Sequence, residues 1–179
     1  MNEILTNYIN HARNFGYMSG IERDRLRQKE TAEVFTPTYY VQQILDEEEQ
    51  NSPNMIKDWS NTYMDNSCGD GQFLSEVVIR KMERSGCTLE QALSTTYGVE
   101  LMEDNVKLCK ERLGGPNPTQ EILDILDKNI VCADALTYHY RFDGTPNDMS
   151  DAELQSRQFF SYEDIWPNVD HLEDSKSPQ

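Results

Sequence analysis

Asn61 to Phe73 reads NTYMDNSCGDGQF, and such a stretch admits few architectures. A short apolar run, Tyr63 and Met64, ends on Asp65; a glycine-containing loop, Ser67 to Gly71, follows; a helix-compatible segment begins at Gln72. Strand, tight loop and helix N-terminus in succession are how an α/β domain assembles a small-molecule site. Glycines let backbone N–H groups come close to a ligand, and the helix dipole favours negative charge there. Asp65 and Asp70 change what that ligand can be: a nucleotide diphosphate would be repelled, whereas a zwitterion with an ammonium group would be held. The plainer alternative is a strand–turn–helix junction with ordinary turn glycines. The remaining residues decide between the two.

One modest domain is expected from 179 residues, long enough for a real core. Hydrophobic content is 37%, and no apolar run approaches the roughly 20 residues of a membrane span. With no signal-peptide pattern read at the start, the expected location is cytoplasmic. The four cysteines, Cys68, Cys87, Cys109 and Cys132, are widely spaced and lack a C-x-x-C pair. They read as reduced, mostly core thiols, with neither a zinc site nor a disulfide expected. Formal charge is -16, unevenly spread: in residues 1–45, Arg13, Arg23, Arg25, Arg27 and Lys29 offset five acids, and the surplus begins at Asp46. Such a chain repels a phosphate backbone unless a partner supplies positive charge, so DNA is expected only indirectly.

Residues 2–28 are expected to form one or two helices. Ile4, Leu5, Tyr8, Ile9 and Ala12 recur at helical spacing, Gly16 and Gly20 interrupt, and Ile21 to Gln28 resume with alternating charge. The arginines there read as a solvated helix face rather than a phosphate site. Thr36-Pro37 reads as a helix start, threonine as N-cap and proline at the first position. That helix would run to about Glu49 and bury Val41, Ile44 and Leu45. The helix from Gln72 turns Phe73, Leu74, Val77, Val78 and Met82 to one face and should end near Gly86. Thr88-Leu89-Glu90-Gln91 is a capping-box signature opening a short helix through Leu93. Thr96 to Glu100 is a second strand ending on an acid. The next helix puts Met102, Val106, Cys109 and Leu113 on one face. Glu103 and Asp104 stand near its start, Lys107, Lys110 and Arg112 near its end, and Gly114 just past it. Asn117-Pro118-Thr119-Gln120 caps a helix bearing Ile122, Leu123, Ile125 and Leu126; Asn129 to Ala133 is a third strand, ending on Asp134.

Strand and helix thus alternate, with an acid at the C-terminal end of each strand. Alternation of this kind implies a parallel sheet with ligands bound beyond the strand ends. The three positions suit a nucleoside with a cationic side chain: Asp65 and its loop would face an amino-acid end, Glu100 would accept from a ribose diol, and Asp134 from an adenine amine.

EVFTP, DNSCGDGQFL, YGVEL-MEDNVKLCKERL and CADAL stand in the order found in S-adenosylmethionine-dependent DNA adenine-N6 methyltransferases, and from Lys29 to Leu136 the chain resembles that family. The similarity is to the group that places its cofactor motifs before the catalytic one. It implies an α/β, truncated Rossmann-like methyltransferase fold, with a short parallel sheet flanked by helices. It divides the chain into an N-terminal helical segment, 1–28, a cofactor-binding domain, 29–142, and an acidic C-terminal tail, 143–179, partly packed. The cofactor implied is S-adenosylmethionine, with S-adenosylhomocysteine as product, in the setting of DNA methylation and restriction-modification. Phe35, Thr36 and Pro37 resemble the motif that closes over the methionine part; Asp65, Ser67, Cys68, Gly69 and Gly71 resemble the glycine loop, with Phe73 packed beside it. By the same resemblance Glu100 would bind the ribose, Leu101 would lie against adenine, and Asp134, next to Ala135, would bind the adenine amine. Asn66 departs from the family, which usually has proline there.

A larger departure is an absence. The family places an N/D-P-P-Y/F tetrapeptide one or two dozen residues after Asp134, because an adenine amine has its lone pair delocalised into the ring. The base must be flipped out and stacked while oxygens accept the amine protons. Neither Thr145-Pro146-Asn147-Asp148 nor Trp166-Pro167-Asn168 has that order, so the catalytic residues are unknown. The aromatic pieces Tyr138, Tyr140, Phe142, Phe159, Phe160, Tyr162 and Trp166 are read as packing over an otherwise bare sheet, with a weak helix from Ser150 to about Gln158. In the family's sheet the first strand is central, so losing the following strands would leave Thr62 to Asp65 as an open edge. A second copy, a separate catalytic subunit or the chain's own tail would close it. Three functions stay open: a methyltransferase half, a non-catalytic S-adenosylmethionine-binding module, and an acidic decoy mimicking DNA.

Overall fold

The computed structural model describes residues 3–15, 36–150 and 152–153. Along them run α1 (Glu3–Arg13), α2 (Thr38–Asn51), β1 (Tyr63–Asp65), α3 (Gln72–Ser85), α4 (Leu89–Ser94), β2 (Thr96–Glu100), α5 (Glu103–Gly114), α6 (Gln120–Asn129) and β3 (Ile130–Cys132). Phe35, the expected helix over Ile21 to Gln28, most of the helix expected from Ser150 and the aromatics from Phe159 onward lie outside the described residues.

The three strands form one open parallel sheet in the order β1-β2-β3. Asp65 stands beside Gly98, Gly98 beside Ile130, and Glu100 beside Cys132. Side chains alternate between the faces. One face carries Gly98 and Ile130 and meets the helices. Leu74, Val78, Ile79 and Met82 of α3, Val106, Cys109 and Leu113 of α5, and Tyr8 and Ala12 of α1 join Ile130 there in the main core. Gly98 leaves room for the helices on this side, since a Cβ there would stand 2.8 Å from Cys68 Sγ and 2.9 Å from Leu74 Cδ1 and would force those side chains to shift. The other face carries Tyr97, Val99 and Val131, over which Tyr138, Tyr140 and Phe142 fold as an aromatic strap. Tyr140 and Phe142 reach this position with φ of 57° and 49°, a backbone conformation that residues other than glycine rarely adopt. The packing expected for these aromatics is what the strap does.

Lys81 holds the opposite end of the sheet. Its ammonium is buried and donates to Asn61 O at 2.9 Å, Thr95 O at 3.2 Å and Thr95 Oγ1 at 2.8 Å, just before β1 and β2 begin. Burial pushes its pKa down to about 8.

Several boundaries differ from expectation. Pro37, not Thr36, is the residue before the first turn of α2, at φ -57° and ψ 143°, and no side chain caps the helix. Proline's fixed φ suits that position equally, and Tyr40 and Val41 donate to its carbonyl at 2.9 and 3.2 Å. Ile44 faces outward on α2, leaving Val41 and Leu45 as its buried residues. Gly114 is the last residue of α5, and Gly115, at φ 77°, makes the turn. Strand β3 ends at Cys132, so Asp134 lies beyond the strand in a turn. The capping box at Thr88 forms as expected, with Gln91 N–H on Thr88 Oγ1 at 3.2 Å and Thr88 N–H on Gln91 Oε1 at 3.0 Å. All four cysteines are free thiols; Cys68 and Cys109 are buried, Cys87 half-buried and Cys132 exposed. Among the described residues no helix is long and apolar enough to cross a membrane.

Candidate functional site

The C-terminal ends of β1 and β2 converge on the glycine loop. Asp65 closes β1, and its Oδ1 accepts the Ser67 N–H at 2.9 Å. Glu100 closes β2, and its Oε2 accepts the Gly69 N–H at 3.0 Å. On its other oxygen it takes the Met102 N–H at 3.0 Å and Asn105 Nδ2 at 3.4 Å. The loop is laced further to β2 by Cys68 N–H on Val99 O at 3.1 Å, and it closes on itself through Gly71 N–H on Cys68 O at 2.8 Å. Gly69 and Gly71 sit at φ 52° and 83°, and a Cβ on Gly71 would lie 2.8 Å from Cys109 Sγ.

This bonding decides the chemistry of the loop. The N–H groups of Ser67, Cys68, Gly69 and Gly71 are spent inside the protein, two of them on the strand-end carboxylates. A phosphate cradle needs such groups free. What the site presents instead is acceptor oxygen, suited to a cation or to hydroxyl and amine donors. Burial raises the Asp65 carboxyl above its ordinary value, the Ser67 N–H works against that rise, and the charge of Glu100 adds to it. An ammonium placed beside Asp65 would offset both unfavourable effects by favouring the ionised carboxylate.

The remaining candidates fall into place around this pair to differing degrees. The Ala133 N–H donates to Glu100 O at 2.9 Å, which brings the exit of β3, and Asp134 with it, beside the end of β2. The Asp134 carboxylate is exposed and accepts the Leu136 N–H at 2.9 Å, while its carbonyl accepts from Thr137 and Tyr138. Ala135 turns toward the strap, and its carbonyl accepts the Tyr140 hydroxyl at 2.7 Å. Leu101 is 64% exposed just past Glu100, an apolar side chain offered to solvent beside the acids. Phe73, two residues after Gly71, packs against the cluster of Val41, Leu45, Ile56 and Val77 under α2. The Cys68 thiol points inward, 4.0 Å from Cys109 Sγ, so this residue lends the loop its shape and no side chain. Thr36 and Pro37 precede Thr38, whose Oγ1 accepts Gln72 Nε2 at 2.7 Å, which places them near the start of α3.

Sequence reasoning missed the groups beneath the loop. Asp70 and Arg112 are both buried and paired at 2.7 Å. Arg112 reads in sequence as a helix-end cation, yet it lies three residues from Cys109 on the buried side of α5. That placement on an apolar helix face is the signal that marks it. Among the described residues no group of His, Cys, Asp or Glu is arranged to hold a metal ion. Comparison with known protein families, curated proteins and solved structures gives no significant match for this chain.

Proposed function

We propose that the chain binds S-adenosylmethionine, as the cofactor-binding half of a methyltransferase resembling the DNA adenine-N6 family. The observation that carries this reading is the bond between Gly69 N–H and Glu100 Oε2, beside an Asp65 close enough to feel the Glu100 charge. Loop and both acids thereby make one acceptor-rich corner. The residues fit a sulfonium nucleoside by donor set: Asp65 for the ammonium, Glu100 for ribose hydroxyls, Leu101 for an adenine face, Asp134 for an adenine amine. Glu100 already spends three of its roughly four lone-pair directions on N–H donors, so a diol would displace the 3.4 Å contact from Asn105. The open three-stranded order fits the first half of a Rossmann-like methyltransferase sheet, with β1 at the edge where further strands would add. When bound, the cofactor would supply the electrophilic methyl group. No N/D-P-P-Y/F tetrapeptide occurs in the sequence, and a partner subunit or second copy would supply the groups that hold the adenine amine.

Titration calorimetry with S-adenosylmethionine and S-adenosylhomocysteine tests the reading. Micromolar binding is expected, weakened at least tenfold in Asp65→Ala and in Glu100→Ala, since one charged hydrogen bond is worth about 1.5–3 kcal/mol. No binding by the wild-type chain sinks it and leaves the acidic decoy or a relic fold that has lost its ligand. The missing tetrapeptide favours a second reading, a non-catalytic binding module. It would bind the cofactor equally well but never pass a tritiated methyl group to DNA, whatever partner is added.

A further inference from the structure

We infer that Arg112, Gln72 and Thr38 form a positioning relay that couples the glycine loop to the helix start at Thr36-Pro37. The inference rests on the cofactor site proposed above.

The guanidinium of Arg112 is 1% exposed, and its nitrogens reach three segments of the chain. Nε donates to Asp70 O at 2.9 Å and Nη2 to Asp70 Oδ2 at 2.7 Å, gripping the loop through backbone and side chain together. Nη1 donates to Ala12 O at 2.9 Å, at the end of α1, and to Gln72 Oε1 at 2.7 Å, at the first residue of α3. Gln72 then passes the link on, its Nε2 donating to Thr38 Oγ1 at 2.7 Å on the first residue of α2. The Phe15 ring lies 5.1 Å from Arg112 Cζ and closes the arrangement on the α1 side.

A second link runs alongside, one helical turn along α3. Arg13 donates to both oxygens of Glu76, at 2.8 and 2.9 Å, and Gln42 Nε2 donates to the same carboxylate at 3.3 Å. Helices α1 and α2 are therefore each joined to α3 through polar groups at two levels. Apolar side chains would hold helices together as firmly, since a buried ion pair adds little net stability over hydrophobic residues of similar volume. What the polar relay adds is direction. Both ends of the Gln72 amide are engaged, so the amide cannot turn over without breaking a bond to Arg112 or to Thr38. A displacement of Asp70, within the loop that contacts the ligand, is transmitted through one guanidinium and one amide to the residue that follows Thr36-Pro37.

A merely structural network and a positioning relay differ in what their last link controls. Thr38→Val removes only the hydroxyl that receives the relay, Thr38→Ser keeps it, and Gln72→Met cuts the relay one step earlier. Each full-length variant is titrated with S-adenosylhomocysteine and melted with and without it. For Thr38→Val the ligand-free melting midpoint falls only by what one part-buried hydrogen bond contributes, while affinity falls about tenfold and the ligand-induced shift in midpoint shrinks with it. Gln72→Met, which also takes an acceptor from the Arg112 guanidinium, melts lower than Thr38→Val but shows the same loss of affinity, and Thr38→Ser restores wild-type binding. Wild-type affinity in both Thr38→Val and Gln72→Met overturns the relay and leaves the cofactor site standing. A wild-type chain that does not bind S-adenosylhomocysteine overturns the site, and the relay with it.

Discussion

Asp65 is held in an unfavourable state that a cationic ligand would correct. Its carboxyl is raised by burial and by Glu100, against the opposing Ser67 N–H. For an acid whose folded pKa exceeds the unfolded one, the stabilising contribution is present at low pH and lost as pH rises through the folded value. Above that value the ionised group therefore works against the ligand-free fold. Asp65→Asn, which keeps an oxygen for the Ser67 N–H, is expected to melt no lower than wild type without ligand and slightly higher near pH 7. It is expected also to lose S-adenosylhomocysteine binding by tenfold or more, one charged hydrogen bond being worth about 1.5–3 kcal/mol. In the wild type, affinity should fall as pH drops through the raised pKa, with proton release on binding that Asp65→Asn lacks. Calorimetry in buffers of different ionisation enthalpy reads that release directly, and an unchanged proton count in the variant would refute the assignment. Glu100 makes the contrasting case, because its oxygens already serve backbone N–H groups. Glu100→Gln leaves a single acceptor for Gly69 and Met102, and stranding either N–H should cost about 1–3 kcal/mol in urea unfolding.

At the scale of elements, periodicity carried the alternation of strands and helices, and local chemistry carried the Thr88 capping box and the Gly86 stop. Both are signals written within a few residues. Strand ends were less legible: Asp134 was expected at the tip of β3, yet the strand closes at Cys132 because its pairing with β2 stops at Glu100. A partner strand sets where a strand ends, and one segment alone does not state it. For the same reason the strand-end positions of Asp65 and Glu100 are legible from the apolar runs before them, while the packing of Arg112 and Gln72 is not, since their partners lie 42 and 34 residues away in Asp70 and Thr38. The loop's glycines were legible as glycines, but the demand on Gly71 comes from α5. Its φ of 83° and the 2.8 Å approach of a Cβ to Cys109 Sγ together forbid a side chain. Gly71→Ala should lose about 1–2 kcal/mol to the left-handed backbone and about 1–3 kcal/mol to the clash. Gly86→Ala makes a control for the first contribution alone, because nothing lies within 4 Å of its Cβ position at φ 70°. Equal losses at the two sites in urea titrations would show that Cys109 does not press on the loop.

For the whole molecule the consequence lies at β1. Tyr63 gives its N–H to Thr95 O, so alternation turns the N–H and C=O of Met64 to the other side, where among the described residues no strand pairs with β1. Met64 is 46% exposed on the strap face, and a cavity of about 430 Å³ bounded by Met64, Tyr97, Tyr140 and Phe142 opens beside it. Unpaired strand edges recruit other chains, and a three-residue edge does so weakly. Opposing that recruitment, two copies each carrying a formal charge of -16 repel, and salt screens the repulsion over roughly 10 Å at 0.1 M. The two effects predict a signature that neither gives alone: self-association, or capture of a catalytic subunit, that strengthens as salt is added and is lost in Met64→Lys, which sets a charge at the edge. Size-exclusion chromatography with light scattering, run at low and high salt, reads the first outcome. A chain that stays monomeric in both at tens of micromolar, and binds no dye specific for exposed apolar surface, has its edge closed from within and needs no partner there.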